Sequence, residues 1–331
     1  MTRREILKLS GLTLSAWALP TKMFAEYQHM RELNEVEVII IGGSYAGLST
    51  AMSLGRSLRN VLIIDSGSPC NRQAPYSHNL ITQDGIPPLQ IIQKAKSEIL
   101  NYKTVKIVND RALRGEIING GFIIHTASGQ QFNAKKLVFA TGIKDIIPPI
   151  KGLAECWGST VIHCPYCHGY EFRNQVTGIL ANGEKAFQLS AMVHNLTSNL
   201  SILTNGKANF TVEQLNKIAK NGINVIETKV AAIDHNDGHI RNVIFEDGTS
   251  KSYKALYAGI PFIQHSDIPT SLGCKLTETG HLKIDSTQKT SVEGIYACGD
   301  NSTMARSIAS AVFSGNLTGA MVNKDLTIET F

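Results

Sequence analysis

The residues best suited to chemistry lie mid-chain, in His163-Cys-Pro-Tyr-Cys-His-Gly-Tyr-Glu171, where two residues separate Cys164 from Cys167. That spacing lets the two sulfurs close a small disulfide ring on the first turn of a helix. There the helix N-terminus favours the thiolate, the form that carries out thiol-disulfide exchange. His168 follows Cys167 directly and can supply or accept a proton. Zinc is the competing reading, because His163, Cys164, Cys167 and His168 are all potential ligands. Adjacent residues point in different directions, however, and no second C-x-x-C or H-x-x-x-H follows at finger spacing, so redox chemistry is the stronger expectation.

Several strand-turn-helix signals surround this pair. Glu37-Val-Ile-Ile-Ile41 is a β-branched run suited to a buried parallel strand, and it leads into Gly42-Gly-Ser-Tyr-Ala-Gly47 and a helical pattern over Leu48 to Arg56. Gly42 permits the tight turn and Gly47 lets the helix pack on the strand, while the helix N-terminus offers N–H groups to a pyrophosphate. Ser44 replaces the second glycine of G-x-G-x-x-G; it crowds the phosphate approach but can donate a hydrogen bond. The next strand, Val61 to Ile64, ends at Asp65, an acid placed to accept hydrogen bonds from an adenosine ribose. Leu137-Val-Phe-Ala-Thr-Gly142 is a strand running into a small-residue turn. Gly294-Ile-Tyr-Ala-Cys-Gly-Asp300 sets an aspartate just past another buried strand, ahead of a small-residue helix over about 305–321. A second dinucleotide turn, Ala181-Asn-Gly-Glu-Lys-Ala186, lies between the strand Gln175 to Leu180 and a helix over Phe187 to His194. Here Ala181 replaces the first glycine. The following strand, Leu200 to Leu203, ends in Thr204-Asn205-Gly206, without the acid of an NADH site or, beyond Lys207, the basic cluster of an NADPH site. This second site reads as a fold whose nicotinamide chemistry is worn.

In this chain order, from about Glu37 to the C-terminus, the motifs resemble those of the low-molecular-weight thioredoxin reductases. The resemblance implies an α/β chain of two Rossmann-like, three-layer dinucleotide-binding domains. The FAD domain would be split into residues 34–150 and 256–331, with an NAD(P)-like domain carrying the C-x-x-C inserted at 151–255. It further implies that FAD is held by Gly42, Ser44, Gly47, Asp65, Asn79, Thr141, Gly142, Gly299, Asp300, Ser307 and Ile308, with Asp300 on the ribitol chain and the last helix aimed at the flavin. By the same resemblance Cys167 lies at the flavin, Cys164 exchanges with substrate, and His168 stands where the family usually carries an aspartate. Cys-Pro-Tyr-Cys-His-Gly-Tyr-Glu is similar to the corresponding segment of the gliotoxin-type flavin dithiol oxidases, a branch that uses oxygen as electron acceptor. The loop Cys70 to Asn79 takes the place of a flavin-contacting segment; Gln73 and Asn79 can touch the isoalloxazine and His78 can act as a base, or the loop is simply polar and solvated. A homodimer, and a small dithiol or a thioredoxin-like protein as partner, are also implied.

The composition agrees with an ordinary globular protein: 331 residues, 43% hydrophobic and 18% charged, are enough for two domains with their own cores. The net charge of +5 is too small and scattered to argue for nucleic acid. Part of it is concentrated at the N-terminus, where Arg3, Arg4, Lys8 and Lys22 outweigh Glu5 and an apolar run spans Gly11 to Leu19. Residues 1–25 look like a twin-arginine export signal, which would place the enzyme in the periplasm or cell envelope; a basic amphipathic helix of a cytosolic protein is the alternative. Cys70, Cys156, Cys274 and Cys298 read as passengers, and the aromatics, Met304 and Met321 as core. Functionally, the expectation is an FAD-dependent thiol-disulfide oxidoreductase that oxidises dithiols with oxygen or another acceptor, its inserted domain docked on the flavin. An NADPH-dependent thioredoxin-disulfide reductase is the alternative, although Ala181 and Asn205 call NADP(H) binding into question; a flavin-binding protein without turnover is the third reading.

Overall fold

A computed structural model describes residues 35–331; the expected export signal lies outside the described residues. The β-branched runs become inner strands of a parallel sheet. Strand β1 (Glu35–Ile41) lies between β2 (Val61–Asp65) and β6 (Gln131–Phe139), parallel to both, with β3 (Val105–Asn109) beyond β2. Strands buried on both faces need apolar residues at every position, which is why Val38 to Ile41 and Val61 to Ile64 do not alternate. A hairpin of β4 (Ala112–Ile118) and β5 (Gly121–Thr126) packs antiparallel against the start of β6. Further along, Leu137 to Phe139 of β6 pair instead with the late strand β17 (Ile295–Ala297). The end of the chain thus returns to the first sheet.

Helices α1 (Tyr45–Arg56), α2 (Pro88–Ile99) and the long C-terminal α8 (Ile308–Thr330) cover one face of this sheet. Small residues let α1 and α8 approach closely: a Cβ at Gly315 would lie 2.2 Å from the Ala46 carbonyl oxygen. Helix α8 continues past the expected end near 321, because Val322 and Leu326 carry its buried stripe onward and no glycine or proline follows residue 321. On the other face, α7 (Ile268–Ser271) contributes Ile268 to a second apolar core.

The inserted domain is built on a parallel sheet ordered β11 (Asn224–Ile226), β10 (Leu200–Leu203), β9 (Thr177–Leu180), β15 (Ala255–Ala258) and β8 (Val161–Ile162). Helices α5 (Gly183–His194) and α6 (Val212–Lys220) and an antiparallel sheet of β12 (Val230–Asn236), β13 (His239–Phe245) and β14 (Ser250–Ser252) accompany it, giving the second Rossmann-like unit. The short helices α3 (Leu153–Cys156) and α4 (Pro165–His168) flank β8 in the chain. Between the domains the two crossings lie side by side as an antiparallel ribbon of β7 (Ile143–Asp145) and β16 (Phe262–Gln264). By its pairing with β8 and β9, β15 belongs to the inserted sheet, so the chain crosses back later than the boundary anticipated at 255/256. Nothing in the apolar run Ala255-Leu-Tyr-Ala258 marks which sheet it joins.

Candidate active site at the domain junction

The first glycine turn is sterically compelled. Gly42 has φ 108°, and a Cβ there would lie 2.3 Å from the Ala140 carbonyl oxygen; one at Gly47 would lie 1.9 Å from the Gly42 oxygen. Gly43 has the same close relation to Asp65, whose Oδ1 accepts from the Gly43 and Gly67 N–H groups at 3.2 Å each. Lys96 Nζ donates to Asp65 Oδ2 at 2.8 Å, so the expected ribose acid already carries protein partners. Lys96 went unnoticed in the sequence, where it is one of many lysines. Ser44 is the N-cap residue of α1, and among the described residues its hydroxyl makes no capping bond. That leaves it available to a ligand.

A cavity of about 640 Å³ runs from this turn to the inserted domain. Gly42, Ser44, Asp65, Asn79, Thr141, Gly142, Gly299, Asp300, Ser307 and Ile308 line it; Gly47 lies behind, between helix and strand. Asp300 is pushed up from the usual carboxylate range by burial, against the opposing pull of Arg306, whose Nε lies 3.6 Å from Asp300 Oδ2. Arg306 also makes a bidentate pair with Asp145, at 2.9 and 3.1 Å, while its buried Nε has no hydrogen-bond partner among the described residues. A glycine cradle that side chains would fill, an uncommitted Ser44 hydroxyl and an orphaned guanidinium N–H fit an elongated phosphate-bearing cofactor such as FAD.

The redox pair meets the same cavity. Cys164 caps α4, Pro165 presets the first turn, and Cys164 and Cys167 are disulfide-bonded with Cα atoms 5.3 Å apart. The Cys167 N–H points at Cys164 Sγ, 3.1 Å away, a contact that stabilises a thiolate there. Cys167 and His168 line the cavity, and Cys164 is not among its walls. Burial is the main cause that lowers the His168 imidazole from its ordinary range, helped by His78 and opposed by Glu171. His163 also lines the cavity and stacks on Trp157 with ring centroids 5.9 Å apart; burial first, then Arg306, lowers it to about 4.

In the 70–79 loop, Cys70, Gln73, His78 and Asn79 line the cavity, His78 half-buried and the other three exposed at its open side. Cys70 is exposed at the cavity mouth with its Sγ 3.9 Å from Asp300 Oδ2, and the cavity walls and that carboxylate push its thiol upward. Cys70, Cys156, Cys274 and Cys298 are free thiols among the described residues, and Cys298 is fully buried 3.6 Å from Thr50 Oγ1. The expectation that Met304 and the aromatics are core fails in part. Met304 is 75% exposed on the loop before α8, and Phe313, Tyr166 and Tyr170 are exposed as well, whereas Met321 packs against the core.

The second glycine turn is closed by its own chain. Asn182 Oδ1 accepts from the N–H groups of Gly183 (2.8 Å) and Asn209 (2.9 Å), and Asn182 Nδ2 donates to the Lys207 carbonyl. The Ala208 N–H donates to Glu227 Oε1 at 2.6 Å, and the Asn205 side chain is taken by the Val230 N–H. Glu227 is an acid that the local sequence did not reveal, because it reaches this turn from the far end of β11.

The pyridine nucleotide-disulphide oxidoreductase family matches residues 36–315 of this chain. Thioredoxin reductase tcpT of Claviceps purpurea is 30% identical over 311 residues, covering 90% of this chain and 96% of its own. Thioredoxin reductase aclD of Aspergillus oryzae is 30% identical over 306 residues, covering 88% and 97%. Among solved structures, an oxidoreductase from Agrobacterium tumefaciens is similar with a TM-score of 0.83 and 35% identity, over 89% of this chain and 99% of that one. The chain therefore belongs to the pyridine nucleotide-disulphide oxidoreductases, on their thioredoxin reductase-like branch, and is a flavin-dependent enzyme of thiol-disulfide chemistry.

Proposed function

We propose that this enzyme oxidises a dithiol to a disulfide and passes the electrons to oxygen or another acceptor, instead of reducing disulfides with NADPH. The observation that carries this reading is Asn182, whose side chain occupies the Gly183 N–H that a nicotinamide dinucleotide would need for its pyrophosphate and ties it to the Asn209 N–H of the loop after β10. Glu227 adds a carboxylate where a 2′-phosphate would need cations. The placement of Cys167 and His168 on the cavity supports the same direction, since a dithiol oxidase needs no domain swing between two electron carriers.

FAD, held by the glycine turn, Ser44, Asp65 and Asp300, would supply a two-electron acceptor in the cavity that Cys167 lines. The protein's own part begins when a substrate thiolate attacks Cys164 Sγ, breaking the Cys164–Cys167 bond and releasing Cys167 as thiolate. The second substrate thiolate then attacks its own sulfur bound to Cys164, so the product disulfide leaves and Cys164 departs as a thiolate accepting from the Cys167 N–H. His168, kept neutral at neutral pH by burial, takes the thiol protons. The substrate we infer is a small dithiol or a thioredoxin-like protein, with exposed Tyr166 and Tyr170 flanking the pair as contacts. Exposed Phe313 and Val312 on α8 support a homodimer, and the Arg3-Arg4 segment supports twin-arginine export.

The test is anaerobic mixing of the oxidised holoenzyme with dithiothreitol, NADPH and NADH separately, followed by admission of air. Bleaching of the flavin band by the dithiol alone, reversed by air with peroxide formed, is the expected result. Fast bleaching by NADPH would overturn the reading and favour disulfide reduction, the activity named for the fungal relatives.

A further inference from the structure

The proton balance of the exchange points to a residue not used above. When a dithiol reduces the Cys164–Cys167 bond, one substrate S–S bond forms, the protein's breaks, two electrons pass to the cysteines, and both thiol protons are left over if both cysteines leave as thiolates. A single imidazole at His168 holds one proton at a time. For His168 to take both, it must be discharged between the first and the second.

His78 stands on the way out. It lines the same cavity as Cys167 and His168, and its side chain is 19% exposed. Its Nε2 lies 3.6 Å from Glu171 Oε1 of the inserted domain, and its Nδ1 lies 3.5 Å from Asp84 Oδ1 of its own loop. These are ion-pair distances, longer than hydrogen bonds, of the kind that tighten in a substrate complex. Asp84 is 69% exposed and opens the chain of groups to water. The loop is built to hold this arrangement: the Ser77 N–H donates to the Ile86 carbonyl, the Gly85 N–H to the Ser77 carbonyl, and the Asn79 N–H to Asp84 Oδ1 at 2.8 Å. Asn79 takes a left-handed φ of 61° to do so. His78 thus presents one nitrogen to the inserted domain and the other to an exposed carboxylate. An imidazole can take a proton on one nitrogen while releasing one from the other.

We propose that His78 is a positioning residue that relays the proton from His168 to Asp84 and solvent, an inference that rests on the dithiol-oxidase reading. The groups within ion-pair distance of it are Asp84 from its own loop and Glu171 from the inserted domain, and His168 lines the same cavity. His78 and Glu171 act on the His168 imidazole in opposite senses, His78 lowering it and Glu171 raising it, which gives a readout that needs no turnover.

Three variants test this. His78→Ala should retain FAD but oxidise dithiothreitol about tenfold or more slowly at unchanged KM, with the rate partly restored by added imidazole. Asp84→Asn keeps an oxygen for the Asn79 N–H and removes the charge; it should slow turnover by a smaller factor. In NMR titrations of the oxidised protein, the His168 midpoint should rise in His78→Ala and fall in Glu171→Gln. An unchanged rate and pH profile in His78→Ala, a loss that imidazole does not restore, an effect on KM alone, or an unmoved His168 midpoint would overturn the relay. If wild-type enzyme does not oxidise dithiols, the functional reading fails and the relay with it; if it does and His78→Ala matches it, only the relay fails.

Discussion

His163 precedes the redox pair, and its surroundings decide how the fold responds to acid. Its imidazole is held at about 4, against an ordinary value of 6.5, by burial first and Arg306 second. A folded-state value below the unfolded one means that the unfolded chain binds the extra proton between the two. The neutral imidazole therefore contributes stability that is complete above about pH 6.5 and is lost as the pH falls toward 4. His168 and His281, both lowered chiefly by burial, act in the same direction. We predict that Tm drops between pH 7 and pH 4.5, and that His163→Phe, which keeps a ring against Trp157, drops less. Equal acid sensitivity of the two proteins in calorimetry would sink the idea. This behaviour was hidden in the sequence, where His163 was one of four candidate zinc ligands. Cys164 and Cys167 were legible because their chemistry is encoded by a spacing of two residues. Lys96 and Glu227 were not, because each acquires its role from a turn elsewhere in the chain.

At the level of elements, the contact between α1 and α8 sets the cofactor end of the cavity, since Ser44 at the start of one helix and Ile308 at the start of the other both line it. The contact is as close as glycine allows. A Cβ at Gly319 would fall 2.6 Å from Ser53 Cβ and 2.7 Å from the Thr50 carbonyl oxygen. Alanine in a helix gains roughly 1 kcal/mol in propensity over glycine, but a clash with backbone cannot be relieved by a rotamer change. Gly319→Ala should therefore lower stability by about 1–2 kcal/mol in urea unfolding and weaken FAD retention. Gly206→Ala is the contrasting case: its Cβ meets nothing within 4 Å, so any cost there comes from its φ of 133° alone. The existence of the parallel strands was plain from Val38 to Ile41 and Val61 to Ile64. Their partners were less so. A three- or four-residue apolar strand carries no mark of its neighbour, and this is why β15 joins the inserted sheet against expectation while α8 outruns its anticipated end.

The molecule as a whole is organised around a ribbon of two crossings and the side chains that pin it. Asp145 ends β7 and pairs in the ribbon with Phe262, and its carboxylate receives both terminal nitrogens of Arg306 from the other part of the FAD domain. Across the cavity, His78 and Glu171 bring the 70–79 loop to the segment that follows the cysteines. Docking is thus held from two sides, neither of them the cysteines. Removing one partner of a paired, largely buried charge leaves the other desolvated, at a cost of about 3–5 kcal/mol. Asp145→Ala leaves Arg306 facing only Asp300, 3.6 Å away, and frees the ribbon from the FAD domain. We predict that this variant is cleaved faster by protease between residues 259 and 266 and shows a larger radius of gyration in small-angle scattering. Dithiol-driven bleaching of its flavin should slow, while the Cys164–Cys167 disulfide still exchanges with external thiols at the wild-type rate. Arg306→Lys keeps the charge but not the bidentate geometry and should fall between. Scattering and cleavage rates identical to wild type would mean that the ribbon needs no ion pair to hold it. The dithiol-oxidase reading would then lose the physical reason for a domain that does not swing, and the orphaned Arg306 Nε would have to be explained by the cofactor alone.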